Sequence, residues 1–484
     1  NNTATAAGYD ADSSIANSKQ RSCGGGAISS HMAVSISGST FTNNKQVNDS
    51  WSEQQFGYYG HGGAIRMRLG GTISGCTFTG NTAAIGGAIS MYDPAETVSY
   101  TANYSSNTVS GNSATRAGGG FYFDTKKGSV NMTSNTVQSN KNTGSIGGGG
   151  AYIASGTTAK ITGGSFSGNT STLGGGVCNW GTTTLSGVTF TNNTASQHGG
   201  GAYQAGTMYL NGALAMDATS DIYLPTGKRV DINAALTKTS GLVAKFTPQD
   251  YYNGRILARV TYGTKLASTE FTFSSGAEKF QLAANGSYII RPGNKHASSS
   301  SVADSDLVIS TRYNLNYVAN KPSSAYGSVS NMPSNGYSYW NENTTISSLT
   351  PTLTGYKFKN WNTAASGSGT SYSKGQTVLL NKALTIYAQW TPNTYKVVYH
   401  GNGATGGSTA TSTHTYDKAQ ALTANGFTKT GYRFAGWATS SGGSVVYSNR
   451  QSVKNLTSVN GGTVNLYAKW TPNTYKVVYN GNGA

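Results

Sequence analysis

Residues 174–193 read GGGVCNWGTTTLSGVTFTNN: a glycine cluster, a β-branched run, then Phe190 and, three positions on, Asn193. The same order keeps returning. Glycine clusters stand at Gly24 (GGGAI), Gly62 (GGAI), Gly86 (GGAI), Gly118 (GGGFY), Gly147 (GGGGAYI) and Gly199 (GGGAY). Between them lie Phe41 with Asn44, Phe78 with Asn81, Val109 with Asn112, Val137 with Asn140, and Phe166 with Asn169. Successive Phe or Val positions are 37, 31, 28, 29 and 24 residues apart. Self-similarity at a period of roughly 20–50 residues marks a solenoid.

Each coil has a physical logic. In Thr77-Phe78-Thr79 the strand period of 2 sends Phe78 inward and both threonines outward. Stacking such strands in parallel puts Phe over Val over Val over Phe inside. The Asn that follows suits a tight turn, where it tolerates the left-handed conformation and its amide can bond along a ladder of like residues. Glycine lets the backbone turn a corner without a Cβ clash. These features predict a parallel β-helix over residues 23–205, after a polar lead-in at 1–22.

Composition agrees with short strands. The chain has 484 residues with 65 Gly, only 9 Pro and 11% charged residues, while 31 Tyr, 14 Phe and 7 Trp supply apolar area to bury. Collagen is excluded by the lack of a strict glycine period, and simple disorder by the aromatics. No apolar run is long enough to cross a membrane as a helix. NNTATAAGYD at the start lacks the basic and apolar regions of a signal peptide, so none is expected there. Cys23, Cys76 and Cys178 form an odd set with no CxxC, and read as small buried residues.

The paired GGAI-like and FxxN motifs closely resemble the repeats of the chlamydial polymorphic outer-membrane protein family, and similar right-handed β-helix repeats of bacterial surface proteins. The resemblance covers Cys23 to Gln204 and implies a right-handed parallel β-helix in an exported, adhesin-like passenger. From 206 to 295 the glycine clusters stop, and DIYLPTGKRVDINAAL, RILARVTYG and KFQLAANGSYIIRP read as cap strands over the open end. Leu224-Pro225-Thr226-Gly227 lacks the residue between Pro and Thr of a sortase signal and reads as a turn.

HASSSSVADS, within residues 296–311, reads as a linker. Beyond it TPNTYKVVYHGNGA at Thr391–Ala404 returns as TPNTYKVVYNGNGA at Thr471–Ala484. GYKFKNWNT at Gly355 answers GYRFAGWAT at Gly431, and LTIYAQW at Leu384 answers VNLYAKW at Val464. These signatures resemble the Listeria–Bacteroides (internalin-type B) repeat. The resemblance implies small β-rich, β-grasp-like modules at 312–393 and 394–473, with 474–484 opening a third. Trp361, Trp390, Trp437 and Trp470 are then core residues. The fold class is all-β throughout.

The formal net charge is +17, and from Arg312 onward fourteen Lys and Arg face only Glu342 and Asp417. That balance favours polyanionic polymers as neighbours; nucleic acid is not expected, because the lysines are spread rather than clustered. Polysaccharide lyases and hydrolases on β-helices need acids converging on neighbouring coils. Asp49, Glu53, Asp93 and Glu96 fall in inter-coil loops, Asp124 stands apart, and His31, His61 and His198 belong to different coils. No catalytic, cofactor or metal residue is assigned. The expected function is a non-enzymatic adhesin or stalk of a bacterial cell surface, binding host or wall glycans or proteins. Its contacts are expected in the loops 46–59 and 91–104, at Trp51, Tyr58, Tyr59, Tyr92, Tyr100 and Tyr104. The alternatives are a β-helix polysaccharide enzyme, and an ice-binding or purely structural fibre using outward Thr-x-Thr pairs.

Overall fold

The structure is a computed structural model that describes residues 3–5, 25–47, 60–93, 98–262, 271–272, 278–295 and 303–483. The chain divides into two compact units, Asn1–Arg312 and Tyr313–Ala484.

In the first unit each coil up to residue 198 passes through four parallel sheets in turn. One coil runs Ile65–Met67, Gly71–Ser74, Thr77–Thr79 and Thr82–Ile85; the next runs Ile89–Tyr92, Thr101–Ser105, Thr108–Ser110 and Ser113–Ala117. We name the sheets the glycine face, long face, Phe face and Asn face. On the Phe face Phe41, Phe78, Val109, Val137, Phe166 and Phe190 stand in register, with Phe41 and Phe78 stacked at 4.9 Å and Phe166 and Phe190 at 5.2 Å. The outward rows beside them mix Thr with Ser165, Ser110 and Gln138. Thr3–Thr5, inside the expected lead-in, pairs with Lys45–Val47 as a further strand of the Asn face.

The asparagines do half of what the sequence suggests. The left-handed residue is the one before: Asn43, Gly80, Gly111, Ser139, Gly168 and Asn192 have φ between 52° and 67°. Asn44, Asn81, Asn112, Asn140, Asn169 and Asn193 instead point inward and form a buried ladder. Asn112 Oδ1 accepts from both the main-chain and side-chain N–H of Asn81, at 2.9 and 2.8 Å. Its own Nδ2 donates to the Phe78 carbonyl and to Asn140 Oδ1. A second ladder runs Cys76, Asn107, Asn135, so Cys76 occupies a position that other coils fill with a hydrogen-bonding residue.

Glycine is needed for two different reasons. Gly86 sits at φ 66°, where a side chain is strained, whereas a Cβ on Gly87 would lie 2.1 Å from the Gly119 carbonyl of the next coil.

The solenoid does not end at 205. Ile222–Leu224, Ala244–Pro248 and Phe280–Leu282 extend the glycine face, and Val230–Ile232 and Ile256–Val260 the long face, all parallel. Only then do Tyr288–Pro292 and residues 306–311 run antiparallel, closing the long face. Residues 306–311 of the expected linker are therefore paired strand, and buried Asp306 takes a two-pronged contact from Arg259 at 2.6 and 3.0 Å.

In the second unit Leu384–Pro392 lies between a parallel neighbour, residues 315–318, and antiparallel Tyr356–Asn362. Thr463–Pro472 repeats this between Thr394–His400 and Tyr432–Ala438. Trp361 and Trp437 are fully buried, each at the centre of its own core. Trp390 and Trp470 flank them and donate indole N–H groups to Ala319 and Gly401 carbonyls. All four tryptophans are module-core residues, as the repeat signature implies.

Asn112→Ala should destabilise the β-helix by about 3 kcal/mol, because buried amides on both sides lose partners. Denaturant unfolding followed through the first unit's transition would measure it; a change under about 1 kcal/mol would mean the ladder is decorative.

Candidate functional site

The short strands of the glycine face turn their second residue away from the core. Ser90, Tyr122, Tyr152, Cys178, Tyr203 and Tyr223 are in register along that outer row. Their neighbours Phe121, Phe123, Ile153, Val177 and Leu224 face inward and are buried. Rings one coil apart stack: Tyr122 on Tyr152 at 5.3 Å, Tyr203 on Tyr223 at 5.6 Å. Both spacings suit offset aromatic contact.

The row has a sealed end and an open end. At the sealed end His61 stacks on Tyr92 at 4.6 Å, meets Tyr122 edge-on and hydrogen-bonds Ser90 Oγ at 2.9 Å. Ile85 and Ala117 close this cluster. Burial, helped by the Arg66 charge, lowers the His61 pKa to about 3, so the ring is neutral. Cys178, mid-row, is buried beside the Ile146 carbonyl, and burial pushes its thiol up to about 12. It is inert as a nucleophile at neutral pH.

At the open end Trp180, 43% exposed, lies against Tyr203 at 5.9 Å. His198 is exposed and stacks on Tyr223 at 4.0 Å. Beside them a cavity of about 200 Å³ is lined by Gln197, His198, Thr219, Asp221 and Tyr223. Asp221 Oδ1 accepts the Gly200 N–H at 2.6 Å, which fixes the carboxylate at the cavity edge. Burial raises the pKa of both Tyr203 and Tyr223, keeping the phenols protonated donors. The result is a ledge of aromatic faces bordered by a carboxylate, an amide and hydroxyls. A larger groove of about 530 Å³ in the second unit, along residues 350–358, has Lys357 as its charged group and no such convergence.

The expected contact residues fare differently. Trp51, Tyr58 and Tyr59 lie outside the described residues, as do Asp49, Glu53 and Glu96. Tyr104 is not a loop residue: it lies on Thr101–Ser105, buried among Phe121 and Phe123, with its hydroxyl 3.5 Å from the Met91 sulfur. The alternation of Ala102 and Tyr104 drives both inward. Tyr100 is half-buried, its ring over Gly128, where a Cβ would meet it at 2.4 Å. Tyr92 belongs to the sealed cluster. Asp93 pairs with Arg68 at 3.2 Å, and Asp124 accepts the Tyr122 hydroxyl. Trp180, Tyr203, Asp221 and Tyr223 were not singled out from sequence, and His198 was weighed only as one of three histidines on different coils. The signal for Tyr203 was a Tyr directly after a glycine cluster and one apolar residue, as in GGGFY, GGGGAY and GGGAY; Tyr223, in SDIYL, carries no such mark.

Comparison with known proteins bears on both arrays. Residues 75–91 and 187–204 match the Chlamydia polymorphic membrane protein repeat, and 313–389 and 395–469 the Listeria-Bacteroides repeat domain. The chain carries both repeat types, and both are typical of surface proteins. A protein of Evansella cellulosilytica described as a Gly-rich membrane protein is 34% identical over 139 residues, 27% of this chain and 16% of that relative. The matched region thus spans about a sixth of the relative's length. No solved structure matches the chain.

Neutral His61 makes the β-helix acid-sensitive. Its folded pKa is below the ordinary imidazole value of about 6.5, so the unfolded chain binds the extra proton. Stability should be full above about pH 6.5 and fall by roughly 1.4 kcal/mol per pH unit toward about pH 3, with His61→Gln flattening that slope. Denaturant titrations at pH 7, 6, 5 and 4 measure both chains.

Proposed function

We propose that the chain is the displayed part of a bacterial surface protein that binds carbohydrate without transforming it, with the 313–473 modules as spacer. The observation that carries this reading is the aromatic row of Trp180, Tyr203, Tyr223 and His198, whose Tyr223–His198 end borders the cavity that holds the Asp221 carboxylate. Sugar rings present C–H faces to aromatic planes and hydroxyls to carboxylates and amides, and this ledge offers both within one patch. The paired repeat arrays support display at the cell surface. Among the described residues, Asp93 pairs with Arg68 and Asp221 accepts the Gly200 amide, which favours retention over turnover.

Basic modules add a second contribution. Fourteen cationic side chains against two acids from Arg312 onward suit anionic wall or host polymers, through a salt-sensitive attraction.

A glycan array probed with the full chain tests the reading. Trp180→Ala should weaken retention about tenfold, with Tyr203→Ala close behind. Asp221→Asn should weaken it while leaving the thermal transition in place. Release of reducing or unsaturated sugars from any retained glycan would make it an enzyme, and retention abolished only by salt would move the site to the modules.

A further inference from the structure

The two modules of the second unit meet at a joint whose parts are all repeat residues. Asn393 donates its main-chain N–H to the Gly355 carbonyl and its side-chain amide to the Ser458 carbonyl, both at 2.8 Å. The Tyr416 N–H donates in turn to the Asn393 carbonyl at 2.8 Å. The Tyr416 ring lies on Gly355, at φ 79°, so closely that a Cβ there would fall 2.1 Å from it. Next to it the Tyr356 hydroxyl donates to Asp417 Oδ2 at 2.6 Å. Asp417 is held by Asn455 at 3.0 Å and Lys454 at 3.1 Å. Burial alone would raise its pKa, but these donors hold the carboxyl well below the usual range, so it is ionised at neutral pH.

The second module repeats the receiving half of this joint, with Lys429 Nζ 4.4 Å from the Tyr432 ring centroid. Gly431 answers Gly355 with the same φ of 79°, and Asn473 donates to its carbonyl at 2.9 Å as Asn393 does to Gly355. A Cβ on Gly431 would meet no atom within 4 Å, so the space filled by the Tyr416 ring in one joint is open in the other. Tyr432 answers Tyr356 and is 39% exposed. Residues 474–484 repeat 394–404 with Asn480 in place of His400. Yet Tyr475, Val477 and Tyr479 are 86%, 60% and 90% exposed, whereas their counterparts Tyr395, Val397 and Tyr399 are at most 5% exposed. Residues 474–480 keep the apolar alternation of Thr394–His400 without being paired as a strand.

We infer that Gly431, Tyr432 and Asn473 form a docking site for the Tyr–Asp turn of a third module of this repeat, whose first strand is residues 474–480. The pocket over Gly431 takes the tyrosine ring, the Tyr432 hydroxyl donates to the aspartate, and the Asn473 carbonyl receives the turn's amide. Each contact copies one already made at Gly355, Tyr356 and Asn393. The partner is thus fixed as a module with an aromatic residue followed by an acid at the positions of Tyr416 and Asp417.

The test appends a copy of residues 405–473 after Ala484, which completes the third module, and follows hydrogen exchange of the full chain. Folding of the added module protects the amides of Tyr475, Val477 and Tyr479. Docking separately protects the amide that copies Tyr416. Gly431→Val should speed exchange of that one amide at least about tenfold while leaving the 475–479 strand protected. Gly355→Val should do the same to the Tyr416 amide. Tyr432→Phe, which removes one hydroxyl from a half-exposed ring, should give a smaller change in the same direction, so the result does not hang on a valine the module fails to accept. A folded third module whose Tyr416-copy amide exchanges freely, or is indifferent to both substitutions, overturns the inference. Concentration-dependent dimers of the unextended chain, with Tyr432 protected, would replace the in-chain partner by a second copy.

Discussion

Parallel strands stacked about 4.8 Å apart impose one demand on every inward position: the residue must tolerate a copy of itself directly above and below. Asparagine meets it best. Its side chain carries both a donor and an acceptor, so each amide spans to the next coil and to a carbonyl of the previous one. That is what Asn81, Asn112, Asn140 and Asn169 do, down to Ser220, whose hydroxyl receives Asn193 at the end of the run. Phe and Val meet the demand by stacking and by shape. Glycine meets it by having nothing to clash, since the next coil's carbonyl passes where a Cβ would be. The interior is thereby fixed, and sequence freedom moves to outward positions and to the connections between coils.

The outward row on the glycine face obeys the same spacing with different consequences. Tyrosines one coil apart stack whether or not they are buried, so the row is an aromatic strip by construction. Where short segments such as Ile85, Ala117 and Ile146 fold over it, the strip becomes a second small core, with a neutral histidine and an inert thiol. Where that cover stops, after Cys178, the row ends in exposed Trp180 and in exposed His198, which lies over Tyr223 beside Asp221. The candidate site is thus the uncovered continuation of a structural pattern, and a binding surface arises without any departure from the repeat.

Much of this architecture was legible in the sequence, because repetition amplifies weak signals. A single FxxN says little, but six in register identify the inward Phe, and the recurring Trp of the modules identifies their cores. Details set by a single coil were less legible. The left-handed turn residue precedes the ladder asparagine, and Asn-Asn in coils such as Asn192-Asn193 conceals which of the two turns. Thr101–Ser105 looked like loop because its polar residues outnumber its apolar ones, although Ala102 and Tyr104 alternate inward. The end of the solenoid was placed too early, since coils beyond 216 keep two faces while losing the glycine clusters that advertised the earlier ones. Tyr203 and Tyr223 were hidden for a related reason. A tyrosine next to apolar residues in a short strand, as in Ala202-Tyr203 or Ile222-Tyr223-Leu224, reads as strand core, and only the period of 2 seen across Phe121-Tyr122-Phe123 says that it points out.

The two arrays repeat their sequence in physically different ways, and this divides the labour between them. In the β-helix every strand hydrogen-bonds to its own copy, so each coil is incomplete without its neighbours and loss of one ladder residue is felt on both sides. In the second unit each module closes a core around its own tryptophan and touches the next through a glycine, two tyrosines, an aspartate and an asparagine. A broad, continuous face requires the first arrangement, because only strands paired coil to coil keep an aromatic row in register. Reach requires the second, because modules that fold on local contacts can be added one at a time while a small joint carries their orientation. The ledge at Trp180 depends on the first property, and the half-joint at Gly431 on the second.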